Sequence, residues 1–354
     1  MKKIKIISFI IIFMLLFLWF SWFLRPLPGS VSIIYYEPPN TIDVLFVGSS
    51  HIHTGINPSI IWQNEGIPSY NYSSAGQPLW NSYHFIIEAL KTQNPSVVVL
   101  DIYYVFRNVE NGYRSNEADK YATFRWSLNK LAMIWSGVDP ESRFRYIFDI
   151  FSFHSRWKSI TEDSSPYSKR VYMEQSNLKY KGYYPLFNVQ DVSADYNVMG
   201  YPLTDEEGEL NEKKRDYLQR IIDLSKSRGF ELILVKTPSQ LSFDNEEEQK
   251  AYNTVRKIAE ENDIKFFDYN EKQHRDLMGF DFASDMRDAD HTNIYGAAKI
   301  SAYMASYLKS EYGLADRRGD DRYSSWDDIA SAYFLYEASE KDKEDVNSEV
   351  AIEN

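Results

Sequence analysis

Apolar runs of strand length alternate with amphipathic helical patterns over most of this chain, and this alternation limits its fold more than any other feature. Residues 97–102 form an almost continuous apolar run, which is typical of a strand buried on both faces of a parallel sheet. The other predicted strands are residues 43–47, 67–72, 231–235 and 264–269, and the predicted helices are residues 78–90, 211–228, 248–262 and 295–308. Asn211 and Gly229 are residue types that favour the start and the end of a helix. The alternation predicts a doubly wound parallel α/β sheet in three layers.

The start of the chain predicts a transmembrane signal anchor over residues 1–25. Residues 6–24 are almost wholly apolar, and about 20 such residues cross a bilayer as a helix. Three lysines precede the run and only Arg25 follows it closely, so the positive-inside rule predicts a cytoplasmic N-terminus and an extracytoplasmic domain. A cleaved signal peptide is the alternative, but the run exceeds a typical signal core and no Ala-x-Ala site follows. We therefore expect a single-pass protein of the cell membrane.

The rest of the chain divides by composition. Residues 26–40 contain four prolines and predict a stalk. The α/β pattern covers residues 41–312, with an aromatic and polar stretch at about 107–205 that predicts a mostly helical and looped insertion over one end of the sheet. Residues 313–354 are acidic and charge-rich, which predicts a partly disordered tail with one short helix near residues 326–336.

Charge and cysteine content exclude several classes of function. The formal net charge is −12 and no basic block lies beyond the N-terminus, which argues against nucleic acid as a partner. The chain has no cysteine, which excludes disulfides, thiolate metal sites and a cysteine nucleophile.

The strand ends predict where the chemistry lies, because ligands of open α/β sheets bind at the carboxyl ends of the strands. The segments that this rule places on one rim are Gly48-Ser49-Ser50, Ser74 to Gln77, Tyr103-Tyr104 and Lys236-Thr237. Ser50 is a candidate nucleophile, although a serine after a strand is more often a turn or cap residue. The Gly-x-Ser-x-Gly elbow of α/β-hydrolases is absent, since Ile52 takes the second glycine position.

A second motif lies near the C-terminus, where Asp288 precedes His291 by three residues. The spacing suits a carboxylate that fixes the imidazole tautomer and leaves Nε2 to take the serine proton. Asp290 is a rival for the carboxylate role, and helix capping by Asp290, Thr292 or Asn293 is the structural alternative. With Ser50, this pair predicts a site for serine acyl transfer.

These motifs resemble the SGNH hydrolase family, also called GDSL esterases. In that family Gly-Asp-Ser carries the nucleophile, a later glycine and an asparagine complete the oxyanion hole, and Asp-x-x-His near the C-terminus completes the triad. The corresponding segments of this chain are Gly48-Ser49-Ser50, Ser74-Ala75-Gly76-Gln77 and Asp288-Ala289-Asp290-His291. The resemblance covers about residues 41–105 and 210–310, and it implies an SGNH-like, flavodoxin-like sheet.

The Gly-Ser-Ser form and the predicted anchor look most like the membrane-anchored branch of that family. This branch includes the teichoic-acid D-alanylation protein of Gram-positive bacteria and proteins that O-acetylate exopolysaccharides. The chain departs from the family in the third block, where Asp101 and its neighbours replace Gly-x-Asn-Asp. The backbone N–H groups of Ser50 and Gly76 would then form the oxyanion hole, with the side chain of Gln77 as a further donor.

Other polar residues near these motifs have less specific roles. His51 is expected to line the acyl or acceptor pocket. His51 and His53 form a His-x-His pair, but no third ligand with matching spacing follows, so the sequence predicts no metal and no cofactor. Lys236 is interpreted either as a contact for an anionic acceptor or as a lysine that snorkels at a strand end.

The sequence as a whole predicts a membrane-anchored, extracytoplasmic serine acyltransferase with Ser50, His291 and Asp288 as its catalytic residues. The expected reaction is O-acylation, with acetyl as the expected group, of a cell-envelope polysaccharide or teichoic acid, and a membrane-bound acyltransferase is a candidate partner. The first alternative is a carbohydrate acetylesterase of SGNH type. The second is a non-catalytic envelope scaffold that binds glycans.

Overall fold

The computed structural model describes residues 2–25, 33–106, 120–122, 124–158, 180–193, 201–239 and 246–352. The chain divides into two compact units. We call Met1–Tyr36 with Val109–Asn177 the anchor unit, and Glu37–Asn108 with Leu178–Asn354 the sheet unit.

Five parallel strands form the centre of the sheet unit, in the order β2-β1-β3-β4-β5. The strands are β1 (Val44–Gly48), β2 (Ser69–Ser73), β3 (Val97–Asp101), β4 (Glu231–Lys236) and β5 (Lys265–Asp268). Each lies within two residues of a predicted strand. Because β2 and β3 lie on opposite sides of β1, the order reverses there and opens a crevice at the carboxyl ends of these strands. The prediction of a doubly wound parallel α/β fold is confirmed.

The helices are numbered along the whole chain. They are α1 (Lys2–Phe23), α2 (Ser50–Gly55), α3 (Pro58–Glu65), α4 (Leu79–Ala89), α5 (Leu128–Gly137), α6 (Arg143–Ile147), α7 (Ile150–Phe153), α8 (Glu212–Arg228), α9 (Glu246–Glu261), α10 (Lys272–Met278), α11 (Ile294–Tyr312) and α12 (Ser324–Ile352). The predicted caps of α8 are confirmed, since the Asn211 side chain accepts hydrogen bonds at its start and Gly229 ends it with a φ of 74°.

Helices cover both faces of the sheet, because alternate strand residues point to opposite sides. Val44, Phe46 and Val99 form one core with apolar side chains of α2, α3 and α11, including Ile52 and Ile300. Helices α4 and α8 contact each other and the strands from the other side. All five residues of β1 and of β3 are buried, as parallel strands between two helical layers must be.

The C-terminal region differs from the predicted tail. Helix α12 extends over Ser324–Ile352, well beyond the short helix expected near residues 326–336. Its first turns belong to the sheet unit, since Trp326 is buried and donates from its indole N–H to the carbonyl of Ser69 at 3.1 Å. Farther along, an ion pair between Glu337 and Lys341, four residues apart, favours continued helix in a charge-rich sequence.

Some residues of the predicted stalk, residues 26–40, are buried in the fold. Ile33 and Ile34 are buried in the anchor unit, and residues 26–32 lie outside the described residues. In the sheet unit, the carboxylate of Glu37 accepts hydrogen bonds from Nζ of Lys181 at 2.8 and 2.9 Å. Lys181 belongs to the range predicted as insertion, yet its ammonium also donates to Ser325 of α12. The charges are therefore satisfied inside the sheet unit, which explains why these flanking residues are ordered parts of it.

The anchor unit combines α1 with the described part of the insertion, residues 120–122 and 124–158. Helix α1 is long and apolar enough to cross a membrane. Helices α5, α6 and α7 and a 3₁₀ helix at His154–Lys158 follow one another there, in agreement with the predicted mostly helical insertion. The remaining residues of the predicted insertion that belong to this unit lie outside the described residues.

Candidate active site

Ser50 lies at the first position of α2, directly after β1 at the crevice. Ser49 caps this helix, its Oγ accepting the N–H of His51 at 3.3 Å. Gly48 is required before the cap, because a Cβ there would lie 2.4 Å from Cβ of Asp101. The N–H of Ser50 lies in the first turn of α2, where backbone N–H groups have no partner within the helix.

The structure brings Ser50, His291 and Asp288 together from opposite ends of the chain. Oγ of Ser50 lies 2.9 Å from Nε2 of His291. Nδ1 of the same ring lies 3.0 and 3.3 Å from the two carboxylate oxygens of Asp288. Both distances are within hydrogen-bond range, so the imidazole can accept the serine proton on one side while it donates to a carboxylate on the other.

The carboxylate of Asp288 is held in its charged form. Its Oδ1 accepts the backbone N–H groups of Asp290 and His291 at 2.9 and 2.8 Å, and Arg287 donates to Oδ2 at 2.9 Å. Partial burial alone would raise the pKa of Asp288, but the two backbone N–H groups and the His291 ring hold that pKa below its usual value. An ionised Asp288 is the form that orients and stabilises an imidazolium.

Asp290, the rival carboxylate, has other partners. Its Oδ1 accepts the hydroxyl protons of Tyr103 at 2.6 Å and Ser239 at 2.8 Å. The structural alternative of helix capping is met by Asn293, whose side chain accepts two backbone N–H groups at the start of α11. The Asp288–His291 contact and the helix cap therefore involve different residues of one loop.

His51 is buried beside the candidate triad and packs against the His291 ring. It is only 3% exposed, its ring lies 5.1 Å from that of His291, and the Tyr103 ring packs 3.7 Å away on it. Its Nδ1 is 3.0 Å from the hydroxyl oxygen of Thr237. This differs from the expected position on a pocket wall, because the His51 ring is turned inward and packs against His291.

The glycine segment lies beside Ser50, because the N–H of Ser74 donates to the carbonyl of Gly48 at 3.1 Å. Gly76 has a φ of 65°, a left-handed conformation that favours glycine. Gln77 is buried; its Oε1 accepts from Ser74 and its Nε2 donates to Ser82. Both ends of that amide thus stabilise the turn, which differs from the donor role expected of Gln77.

Asp101 takes the place of the third family block and has a positioning role. Its Oδ2 accepts both the N–H and the hydroxyl proton of Ser49, at 3.1 and 2.6 Å, and its Oδ1 accepts the N–H of Tyr103 at 2.9 Å. Burial raises the pKa of Asp101, although these hydrogen bonds oppose the shift. Both oxygens of Asp101 accept in these contacts, so the residue fixes the turn that carries Ser50.

Lys236 contradicts both of its expected roles, since it is fully buried. Its Nζ donates to the hydroxyl of Tyr201 at 3.0 Å and lies 3.8 Å from Asp268 and 3.8 Å above the Tyr252 ring. Desolvation lowers the pKa of this ammonium. The Tyr252 hydroxyl in turn donates to the carbonyl of Tyr103 at 2.8 Å, so the lysine belongs to a network that supports the rim.

The rule that ligands bind at the carboxyl ends of parallel strands places Tyr103 and Thr237 on the rim of the sheet, but the sequence analysis assigns them no role. Ser239 was not identified from the sequence. The partners of these three residues, His51 and Asp290, lie at least 51 positions away in the chain, so no local pattern announces these contacts. Within the described residues, no group of three or more His, Cys, Asp or Glu side chains lies close enough together to hold a metal ion.

Comparison with known proteins gives similarity only at the level of structure. No protein-family model matches the chain, and no curated protein matches it in sequence. Solved structures similar to it include a protein assigned as an acylhydrolase from Bacteroides fragilis, with 10% identity, coverage of 79% of this chain and 94% of that chain, and a TM-score of 0.39. A GDSL-like lipase from Bacteroides thetaiotaomicron has 11% identity, coverage of 75% and 87%, and a TM-score of 0.36. An acetylxylan esterase from Geobacillus stearothermophilus has 14% identity, coverage of 80% and 99%, and a TM-score of 0.36.

Proposed function

We propose that this chain is a membrane-anchored, extracytoplasmic serine acyltransferase that acylates hydroxyl groups of a cell-envelope polysaccharide or teichoic acid, with acetyl as the expected group. The observation that carries this proposal is the continuous contact from Ser50 through His291 to Asp288, with distances of 2.9 and 3.0 Å. Such a contact is what a serine needs to act as a nucleophile near neutral pH.

The first half-reaction transfers the acyl group from an ester donor to the enzyme. Oγ of Ser50 forms a bond to the acyl carbon while its proton passes to Nε2 of His291. The backbone N–H groups of Ser50 and Gly76 stabilise the oxyanion, and Asp288 stabilises the imidazolium. The bond to the donor oxygen then breaks, and His291 returns the proton to that oxygen.

The second half-reaction moves the acyl group to the acceptor. A glycan hydroxyl attacks the acyl carbon and gives its proton to His291, the bond to Ser50 breaks, and the proton returns to Oγ. Water in place of the glycan hydroxyl would give hydrolysis by the same steps. Transfer is favoured by α1, which is long and apolar enough to hold the site near envelope polymers and near a membrane-bound acyltransferase partner.

The test uses the full-length protein in detergent micelles with an acetyl ester donor, with and without acetyl-free envelope glycan. We expect the glycan to accelerate donor consumption and to become O-acetylated. Ser50→Ala abolishes both effects, while Ser227→Ala, a change on the exposed face of α8, leaves them intact. Full glycan O-acetylation by Ser50→Ala would refute the proposal, and steady hydrolysis that the glycan does not accelerate would establish an esterase instead.

A further inference from the structure

The C-terminal end of α1 packs against the insertion. Phe17 and Ser21 lie on the same side of α1, four residues apart, and Leu24 follows directly after the helix; Ser21 and Leu24 are buried. The Phe17 ring contacts the rings of Phe148 and Phe151 at 5.3 and 5.9 Å. The insertion is therefore built onto the last two turns of α1, whereas the rest of the helix is exposed.

Buried charges strengthen this packing. Nε of Arg25, just after α1, lies 2.6 Å from a carboxylate oxygen of Asp149, and Nζ of Lys130 lies 3.7 Å from the other. Both Asp149 and Lys130 are nearly fully buried. Loss of α1 by signal-peptide cleavage would expose this face of the insertion, so the packing favours a retained helix.

The outward surface of the same insertion is aromatic. The side chains of Trp126, Trp135, Phe144 and Trp157 are between 45% and 65% exposed. Cations lie among them, since the Arg143 guanidinium stacks 4.4 Å above the Trp135 ring. Exposed aromatic side chains mixed with cations are typical of the membrane–water interface, where the rings lie at headgroup depth.

The length of α1 sets the depth of this surface. A helix of 22 residues is about 33 Å long, and the hydrocarbon of a bilayer is about 30 Å thick. If α1 spans the membrane, its last two turns, about 11 Å long, lie in the outer part of the hydrocarbon and reach the interface at the end of the helix. The insertion contacts those turns directly and must therefore lie at the same depth.

A cavity of about 520 Å³ opens at this level within the anchor unit. Leu18, Trp22 and Phe148 contribute apolar walls, and Arg25 and Arg125 contribute guanidinium groups. Among the described residues, Asp149 is the counter-ion of Arg25 and Lys130, whereas the Arg125 guanidinium lies 4.2 Å from the centre of the Tyr35 ring and adds a second cation to the cavity wall beside Arg25. An apolar cavity with cations at its edge suits an amphiphile with an anionic head.

We propose that this face of the anchor unit lies in the membrane interface and that the cavity binds one anionic phospholipid of the adjacent leaflet. Its phosphate would contact Arg125 and Arg25, and an acyl chain would lie against Leu18, Trp22 and Phe148. The proposal depends on α1 as a membrane helix and not on the chemistry of Ser50. It gives the insertion a role in fixing the protein's height above the bilayer, beyond that of a simple tether.

The depth of the aromatic surface can be measured with fluorophores on single introduced cysteines, because the chain has no cysteine of its own. The full-length variants Trp126→Cys and Phe144→Cys are labelled with a fluorophore in nanodiscs that contain lipids with bromine near the headgroup. Phe13→Cys in the middle of α1, with bromine deep in the chains, is the positive control, and Leu277→Cys on the sheet unit is the soluble reference. We expect quenching at 126 and 144 but not at 277; no quenching at 126 and 144, with quenching at 13, would overturn the proposal.

The lipid site is tested by native mass spectrometry of the full-length protein released from nanodiscs with equal phosphatidylglycerol and phosphatidylcholine. We expect one retained phosphatidylglycerol, reduced about tenfold or more by Arg125→Gln, since a hydrogen bond to a charged group is lost. Arg125→Lys should restore part of the retention, and Arg322→Gln on the sheet unit should not change it. Equal retention of both lipids, or retention unaffected by Arg125→Gln, would refute the site.

Discussion

The sheet unit and the anchor unit both bury charged groups, but they differ in the side chains that surround those groups. In the sheet unit, Lys236, Asp268 and Asp101 are buried in hydrogen-bond networks that end at the candidate active site. In the anchor unit, Arg25, Lys130 and Asp149 form a comparable buried group, yet large aromatic rings around it face outward. The exposed rings of the anchor unit agree with our proposal that this surface lies against lipid.

The largest predicted effect is the loss of activity in Asp288→Asn, a change confined to the sheet unit. This change leaves the volume of the side chain but removes the acceptor for Nδ1–H of His291, and an equivalent change in a serine triad lowers kcat about 10⁴-fold. Because the pKa of Asp288 is held below its usual value, the carboxylate stays ionised at neutral pH, and we expect the full defect there. The measurement is the pH profile of donor-ester turnover. A defect that grows as the pH falls from 8 to 5 would contradict the assignment.

The next largest effect should come from Asp149→Ala, which leaves Arg25 and Lys130 without their shared counter-ion. Breaking a buried ion pair on one side costs about 3–5 kcal/mol, and we expect this loss to appear in the anchor unit. Hydrogen exchange of the protein in nanodiscs should show faster exchange in α5 and α7 and unchanged exchange in β1 and β3. An equal rise in β1 and β3 would show that the two units do not unfold separately.

How much the sequence could predict also differs between the units. In the sheet unit the strands and the pair Ser50 and His291 follow from local patterns, because buried parallel strands and strand-end motifs have their own residue signatures. The inward turn of His51 and the burial of Lys236 could not be predicted, since they depend on Thr237, Tyr201 and other partners that only folding brings near.

In the anchor unit the apolar pattern predicts α1, but not what packs on it. The face of Phe17 and Ser21 meets Phe148 and Ile150, more than 120 residues later, and nothing in either segment alone indicates that contact. The position of the insertion over one end of the sheet stays a prediction. The long C-terminal helix α12 was missed for a related reason, because Trp326 is held by Ser69 of β2.

A smaller, pH-dependent difference should come from Lys130. Burial lowers its pKa from 10.5 to about 8, opposed by the nearby Asp149. Between these values the unfolded chain binds a proton that the folded chain has released, so this residue makes stability rise with pH from about 8 to about 10.5. The gain is at most about 3 kcal/mol. We expect Lys130→Met to remove this rise in thermal unfolding of the full-length protein, and an unchanged slope would contradict the burial of the ammonium.

The smallest effect should come from Thr237→Val, which removes the hydroxyl 3.0 Å from Nδ1 of His51. Since His51 packs on the His291 ring, loss of one hydrogen bond of about 1 kcal/mol should lower kcat about fivefold and leave KM unchanged. Thr204→Val, on a loop of the sheet unit, is the matched control. A rise in KM with unchanged kcat would place Thr237 in substrate binding instead.

The central claim is that His291 activates Ser50, and intact-mass analysis after exposure to a fluorophosphonate probe tests it most directly. The full-length protein in detergent micelles should gain the mass of one adduct. Ser50→Ala and His291→Ala should gain none, while Ser227→Ala should be labelled like the native chain. An adduct that persists in Ser50→Ala, or a folded native protein that forms none, would contradict the claim.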